Sequence, residues 1–310
     1  MSVLVAGVTG LAGTAIARAY MALGEEVIPL NRSVVDLLDL EATRNFLKGK
    51  RPNLVIDAAA KVGGIGANNS KPVEFLSDNL RIQNNLMQAA FESEVEKFVF
   101  LGSSCIYPRD CAQPIKEEFL MTGPLEQTNS AYAIAKISGI EMINSYRKEY
   151  ELPWISLMPT NLYGPGDNFN LEDSHVLPAL IRRFVEAEGS GASIVTLWGS
   201  GSPLREFLHV DDLASAVVLT SEKYDDSMHL NVGTGHDISI KELALLIADL
   251  TGFRGEIRWD ASKPDGTMRK VLDVSRISSL GWQPTITLSE GISSTIDWFK
   301  FAVQKGEARL

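Results

Sequence analysis

Apolar and polar positions alternate along the first half of the chain in two rhythms. Short apolar runs at Val3–Ala6, Glu26–Leu30, Leu54–Asp57, Lys97–Leu101 and Trp154–Met158 predict strands buried on both faces. Between them, apolar residues spaced three and four apart predict helices near Ala15–Leu23, Leu40–Gly49, Val73–Glu92 and Ser130–Tyr150. Regular strand–helix alternation predicts an α/β fold: a doubly wound parallel sheet of the Rossmann type, with its ligand at the carboxyl ends of the strands.

After Gly164 the texture changes, and proline, glycine and tryptophan punctuate stretches such as "NLYGPGDNF" and "LWGSGSPLREFLHVDD". A helix over Val210–Ser221 and a strand at Met228–Val232 are expected to return to the sheet. The tail predicts a helix from Ser239 to Thr251, a strand near Ile257–Trp259 and a last helix ending near Phe301. The expected organisation is a dinucleotide-binding part, 1–164 plus about 206–238. A smaller α/β substrate-binding lobe takes about 165–205 plus 239–310.

Composition narrows the function. The 310 residues are 45% hydrophobic and 22% charged, an ordinary balance for a folded soluble chain. A net charge of −10 without a basic stripe argues against a nucleic-acid partner. No apolar run approaches the length of a membrane span, and the start "MSVLVAGVTG" enters a strand at once, so a cytoplasmic location and no membrane partner are expected. Two cysteines, Cys105 and Cys111, make no disulfide framework.

Chemistry first shows in "VLVAGVTGLAGTAIA", where Gly7, Gly10 and Gly13 follow a strand and open a helix. Glycines at that spacing let the turn tighten and let backbone amides approach a pyrophosphate. The second strand ends in "VIPLNRS", with Asn31 and Arg32 where NAD selection would need a carboxylate. Arginine can fork onto a ribose phosphate, so NADP (as NADPH) is the expected cofactor.

Downstream, "NSAYAIAKISGIE" places Tyr132 and Lys136 four apart on one helix face. An ammonium beside a phenol is expected to bring the phenol toward a working acid–base range. Ser103, in "FLGSSCIYP", can donate to a substrate carbonyl beside Tyr132, with Ser104 structural. Cys105 in the same stretch is unexplained by hydride transfer alone, and a strand-end cysteine is by default a small buried hydrophobe. No His, Cys and carboxylate cluster has metal-ligand spacing, so no metal is expected.

The Ser–Tyr–Lys set resembles that of the extended short-chain dehydrogenases acting on nucleotide sugars. The stretches "AAAKVGGIGANNSKP", "FLGSSCIYP", "YAIAKISGIE", "MPTNLYGPGDNF", "SHVLPALIRRF", "WGSGSPLREFLHVDDLA" and "KPDGTMRKVLD" resemble, in order and along nearly the whole chain, the GDP-L-fucose synthases. These are 3,5-epimerase/4-reductases of GDP-4-keto-6-deoxy-D-mannose. One departure is Val8-Thr9, where the family often reads His-Arg; a basic cofactor contact is lost there, leaving Arg32 to carry it.

The resemblance implies that Cys105 is the base and His175 the acid of epimerisation, while Ser103, Tyr132 and Lys136 serve the carbonyl. It implies cofactor contacts from Gly7, Thr9, Gly10, Leu11, Ala12 and Gly13, from Asn31 and Arg32, and from Asp39 and Leu40 beside the adenine. Ala59, Lys136, the "PTNL" segment Pro159, Thr160, Asn161 and Leu162, and His175 complete that set. Arg183, Trp198, Arg205 and Asp265 are expected to hold the GDP-sugar. Cys111 is expected to be inert and His209 structural, and His229 and His236 receive no role. Family members are homodimers, which points to Val73–Glu92 and Ser130–Tyr150 as pairing helices. A 4-epimerase, a 4-reductase without epimerase activity, and a non-catalytic NADP sensor are the competing readings; Cys105 with His175 argues against the first two, and the retained Ser103, Tyr132 and Lys136 against the third.

Overall fold

The structure is a computed structural model that describes residues 1–263 and 265–310, with Ile65 described by its backbone alone. Its first part runs β1 (Ser2–Ala6), α1 (Leu11–Ala22), β2 (Glu26–Leu30), α2 (Leu40–Lys50), β3 (Leu54–Asp57), α3 (Ile65–Ser70), α4 (Pro72–Glu92), β4 (Lys97–Leu101), α5 (Ser130–Tyr150) and β5 (Ile155–Pro159). Then follow β6 (Asn161–Tyr163), α6 (Val176–Ser190), β7 (Ile194–Trp198), β8 (Leu204–His209), α7 (Val210–Lys223), β9 (Leu230–Val232) and β10 (Asp237–Ser239). The tail holds α8 (Ile240–Thr251), β11 (Glu256–Asp260), β12 (Arg269–Lys270), α9 (Ser275–Ser279) and α10 (Leu288–Lys305).

The main sheet is parallel, in the order β2-β1-β3-β4-β5-β9. Because side chains alternate along a strand, its two faces bury different residues. Val3, Val5, Ile56, Val99, Leu101 and Leu157 pack toward α1 and α7. Leu4, Val55, Phe98, Phe100 and Met158 face the other way, under α2, α4 and α5. The chain leaves β1 for β2 on one side and for β3 on the other, which opens a crevice between the carboxyl ends of β1 and β3. The expected doubly wound fold is the observed one.

The stretch after Gly164 holds more structure than its pattern announced. There α6 and the short β7 and β8 form, and β8 pairs with β10, β12 and the short β6 just before that stretch, while β7 pairs with β11. Strands of three to six residues bounded by glycine and proline give too short a rhythm to read; long-range pairing stabilises them. Phe169, Leu180, Ile181, Phe184, Leu197, Ile247, Ile292 and Phe299 form the core of this second layer.

Two buried carboxylates tie the layers together. Asp212 of α7 accepts from the amides of Thr285 and Ile286, both at 3.0 Å, docking the tail on the sheet side, where Ile277 and Trp282 join the core under α7. Glu206 of β8, fully buried, accepts from the amides of Gly235 at 2.7 Å and Leu272 at 2.9 Å. Removing that carboxylate strands one buried and one part-buried donor. Glu206→Ala is therefore expected to lower the unfolding free energy by about 3 kcal/mol, read from urea denaturation.

Candidate active site

The glycine loop sits at the crevice between β1 and β3. Gly7 has φ +76° and its carbonyl accepts from Gly10 at 2.8 Å, closing a tight turn. A Cβ on Gly7 would lie 2.6 Å from the Ala58 carbonyl oxygen, and one on Gly13 would collide with the Gly7 carbonyl itself. The Gly10 cap carries no side-chain hydrogen bond, so the first amides of α1 point outward free of any cap. Thr9 is exposed at the turn's crest; Leu11 and Ala12 are half-buried behind it. Backbone shape and helix polarity here fit a dinucleotide pyrophosphate.

At the end of β2, Asn31 accepts from the amides of Ser33 at 2.9 Å and Val34 at 3.2 Å, which fixes the turn and commits its carboxamide oxygen to it. Arg32 projects from that turn with 80% of its side chain exposed and only a 3.6 Å approach to Asp36. Asp39 caps α2 by accepting from Ala42 at 3.0 Å, and Leu40 is the first residue of that helix. Across the sheet, Thr160 donates its amide to the Val232 carbonyl at 3.0 Å, and Asn161 donates to the Glu206 carbonyl at 2.8 Å, placing Pro159 to Leu162 at the end of β5.

One strand end and one helix start build the chemical centre. After β4 the chain makes a single tight turn in which Ser103 Oγ accepts from the Cys105 amide at 3.2 Å. That turn packs on the start of α5, and Asn129 Nδ2 donates to Cys105 Sγ at 3.4 Å. Tyr132, in the first turn of α5, packs edge-on against Phe75 with ring centroids 6.4 Å apart and lies on the side of Ser103. Lys136 is buried to 3% exposure; its Nζ donates to the Leu101 carbonyl at 2.8 Å and lies 4.7 Å over the Phe100 ring and 5.9 Å from that of Tyr132.

The electrostatics correct one expectation. Lys136 was expected to pull the Tyr132 phenol down, but burial holds it above its ordinary value; Cys105 and Asp57 add to the rise and the Ser103 hydrogen bond opposes it. The reason is geometric, since the ammonium is turned toward the Leu101 carbonyl and the Tyr132 ring packs against Phe75. A phenol kept protonated at neutral pH suits a proton donor better than a base. Lys136 itself is brought down to about 8 by burial, with Asp57 resisting.

His175 is the cap residue of α6 and makes no side-chain cap bond. Its side chain is solvent-exposed, and desolvation by the groups crowding it lowers its imidazole below the ordinary histidine value. In the free protein it is thus mainly neutral near pH 7, short of the near-6.5 acid expected from sequence; a negative charge developing beside it would favour the protonated form. Its loop is fixed from the sheet side, with the Gly64 amide donating to the Asp173 carbonyl at 2.8 Å.

The four expected sugar-nucleotide residues fall in the second layer. Arg205, half-buried on β8, is lowered by burial, with Asp265 opposing. Asp265 accepts from Ser200 through its amide at 2.7 Å and its hydroxyl at 2.8 Å, so it shapes the turn after β7. Trp198 ends β7 with 67% exposure and Lys263 Nζ 5.5 Å from its ring. Arg183 is half-buried on α6. Pro264, within the "KPDGTMRKVLD" motif, lies outside the described residues. His209 accepts from the Asp211 amide at 3.3 Å at the start of α7, and His229 is buried against the Tyr107 hydroxyl at 2.9 Å. Among the described residues no His, Cys, Asp and Glu group could hold a metal ion.

Two residues escaped the sequence reading. Asn129 reads as an ordinary helix cap, but its side chain makes no cap bond and meets the thiol instead. Asp57 reads as the polar end of an apolar strand; its only visible signal is a carboxylate closing "LVID".

A pyrophosphate cradle at the strand-order switch, with a serine, tyrosine and lysine gathered at the next strand end, is the layout of a short-chain dehydrogenase or epimerase that works with a nicotinamide dinucleotide. Residues 3–233 match the NAD dependent epimerase/dehydratase family. The chain is 51% identical to a putative GDP-L-fucose synthase 2 of Arabidopsis thaliana, over 96% of this chain and 91% of that one. It is 48% identical to the GDP-L-fucose synthase of Escherichia coli strain K12, over 96% of both. A solved GDP-L-fucose synthetase of Naegleria fowleri, bound to NADP, superposes with a TM-score of 0.91 at 31% identity, covering 100% of this chain and 96% of that one. The chain therefore belongs to the NAD dependent epimerase/dehydratase family and, within it, to the GDP-L-fucose synthases.

Proposed function

We propose that this chain converts GDP-4-keto-6-deoxy-D-mannose to GDP-L-fucose, inverting carbons 3 and 5 and then reducing carbon 4 with NADPH. The observation that carries this reading is the Cys105 thiol held beside Asn129 in the same turn as Ser103, packed against the helix that carries Tyr132. Hydride transfer alone has no use for a thiol there.

A 4-keto group acidifies the hydrogens on both neighbouring carbons, because the carbanion delocalises onto oxygen. Ser103 and Tyr132 donate hydrogen bonds to that oxygen and stabilise the enolate. As a thiolate, Cys105 takes a proton from one face and His175 returns one to the other; the Asn129 N–H supports the thiolate before it accepts that proton. Each inversion leaves Cys105 protonated and His175 one proton short, and exchange with solvent in the open cleft resets both. The cofactor supplies hydride to carbon 4 when bound. Tyr132 then gives its proton to the alkoxide, and the Lys136 ammonium stabilises the phenolate left behind.

In this reading Gly7, Thr9, Gly10, Leu11, Ala12 and Gly13 hold the pyrophosphate, Asn31 and Arg32 the ribose phosphate, and Asp39 and Leu40 the adenine end. Ala59, Pro159 to Leu162 and His175 border the nicotinamide. Arg183 and Arg205 face the GDP diphosphate, Trp198 offers a flat apolar wall, and Asp265 fixes the turn that presents it. The proposed division into 1–164 plus about 206–238 and about 165–205 plus 239–310 puts the reaction between the two parts. A homodimer formed through α4 and α5 belongs to the same proposal, supported by Val73, Ile134 and Tyr150 exposed on those helices. So does a cytoplasmic location, supported by two free thiols and by the lack, among the described residues, of any helix long and apolar enough to cross a membrane.

The test is Cys105→Ser with the keto-sugar and NADPH, the product identified by NMR. Wild type is expected to give GDP-L-fucose, and the variant mainly unepimerised GDP-6-deoxymannose, with 3,5-inversion slowed at least ~100-fold. GDP-L-fucose from the variant at the full rate would remove Cys105 from the mechanism. Untouched NADPH in the wild type would remove the reading altogether.

A further inference from the structure

Asp57 is fully buried at the carboxyl end of β3, in the crevice where β1 and β3 part. Its Oδ1 accepts from the Ala59 amide at 3.2 Å, while Oδ2 is buried without a hydrogen-bond partner among the described residues. A carboxylate left so is costly unless a cation compensates it. In the parallel register Asp57 pairs with Phe100 of β4, and both side chains project to the face covered by α4 and α5. Lys136 reaches down from α5 to that same place, its ammonium over the Phe100 ring and bonded to the neighbouring Leu101 carbonyl.

We propose that Asp57 is the internal counter-charge of Lys136, a positioning residue that holds the ammonium charged beneath Tyr132 and so sets the alkaline limit of the reaction. The groups around it are few. Lys136 and, at longer range, Tyr132 bear on it from α5; α4 presents the uncharged Asn79 and Gln83 on its buried side, and the facing stretches of β1 and β4 are apolar. Each charge favours the other's ionised form: Asp57, pushed by burial to about 6, is held down by Lys136, and Lys136 at about 8 is held up by Asp57. Burial alone would neutralise both groups, and the pair limits that loss.

The sign follows. Removing the Asp57 charge destabilises the ammonium, so Lys136 loses its proton at lower pH. Lys136 is to be titrated by lysine-side-chain NMR in cofactor-free wild type and in Asp57→Asn, alongside the pH profile of kcat/KM for the reduction. The Lys136 midpoint is expected to fall by about one pH unit, and the alkaline limb of the profile to fall with it. A carboxylate serving only the Ala59 turn would alter the melting temperature and leave the Lys136 midpoint in place, and that result overturns the proposal. Should Asp57→Asn fail to fold, the Asp57 carboxyl is followed by NMR in wild type and Lys136→Met. Its midpoint is expected to rise when the ammonium is removed, and an unmoved midpoint overturns the coupling equally. The inference rests on the proposed activity only through the pH profile. The NMR titrations use no substrate, so failure to form GDP-L-fucose and failure of the Asp57–Lys136 coupling are read separately.

Discussion

Tyr132→Phe is expected to lower the rate of NADPH oxidation ~1000-fold while leaving the chain folded. Phenylalanine fills the same space against Phe75, so packing at the start of α5 survives and only the hydroxyl is lost. Without it the alkoxide at carbon 4 has no proton donor, and the Lys136 ammonium has no phenolate to stabilise. Proton exchange at carbons 3 and 5 depends on Cys105 and His175 and uses Tyr132 only to stabilise the enolate. In D2O without NADPH, deuterium uptake at those carbons should therefore fall far less than reduction does. Equal losses in the two assays would mean that Tyr132 is itself a base of the epimerisation, and the division of labour proposed above would be wrong.

The second large effect is at the cofactor loop. Gly13 lies in the first turn of α1 against the backbone of Gly7 and Val8, with no flexible side chain between them to give way. A methyl group there must push the loop off the helix and open the turn closed by the Gly10 amide. Gly13→Ala is expected to weaken NADPH binding ~100-fold, about 3 kcal/mol, measured by titrating the nucleotide's fluorescence. The cofactor-free melting temperature should fall as well, because the same collision is present without ligand. Unchanged NADPH affinity would mean that the pyrophosphate does not use this cradle.

Much of this molecule is legible in its sequence, and for identifiable reasons. A strand buried on both faces must be apolar nearly throughout, so β3 and β4 stand out with their observed limits, and α5 shows its start and end in its own periodicity. Gly7 and Gly13 are readable because the contact each makes excludes a side chain, and a prohibition leaves a mark that one sequence preserves; Gly10, where a Cβ would lie 3.2 Å from the Gly7 carbonyl oxygen, completes the spacing. Tyr132 and Lys136 are readable because one helix carries both at a spacing that fixes their mutual geometry. The second layer is harder. Strands β6, β7 and β8 are short, and α6 lies between loops whose glycines and prolines hide its beginning, so these elements depend on partners distant in the chain.

The sequence by itself determined the sheet, the cofactor loop and the Tyr–Lys pair, since each is local or repeats with a backbone period. Only the tertiary structure decided how those groups are charged. Desolvation depends on everything that packs around a side chain, and it is what raised the Tyr132 phenol, lowered His175 and set Lys136 against Asp57. Asp57 and Lys136 are far apart along the chain, and no local rhythm links a strand end to a helix formed so much later. They come near each other because β3 and β4 are neighbours in the sheet and α5 packs over β4. A residue's type travels with the sequence, whereas its proton affinity is a property of the space the fold puts it in.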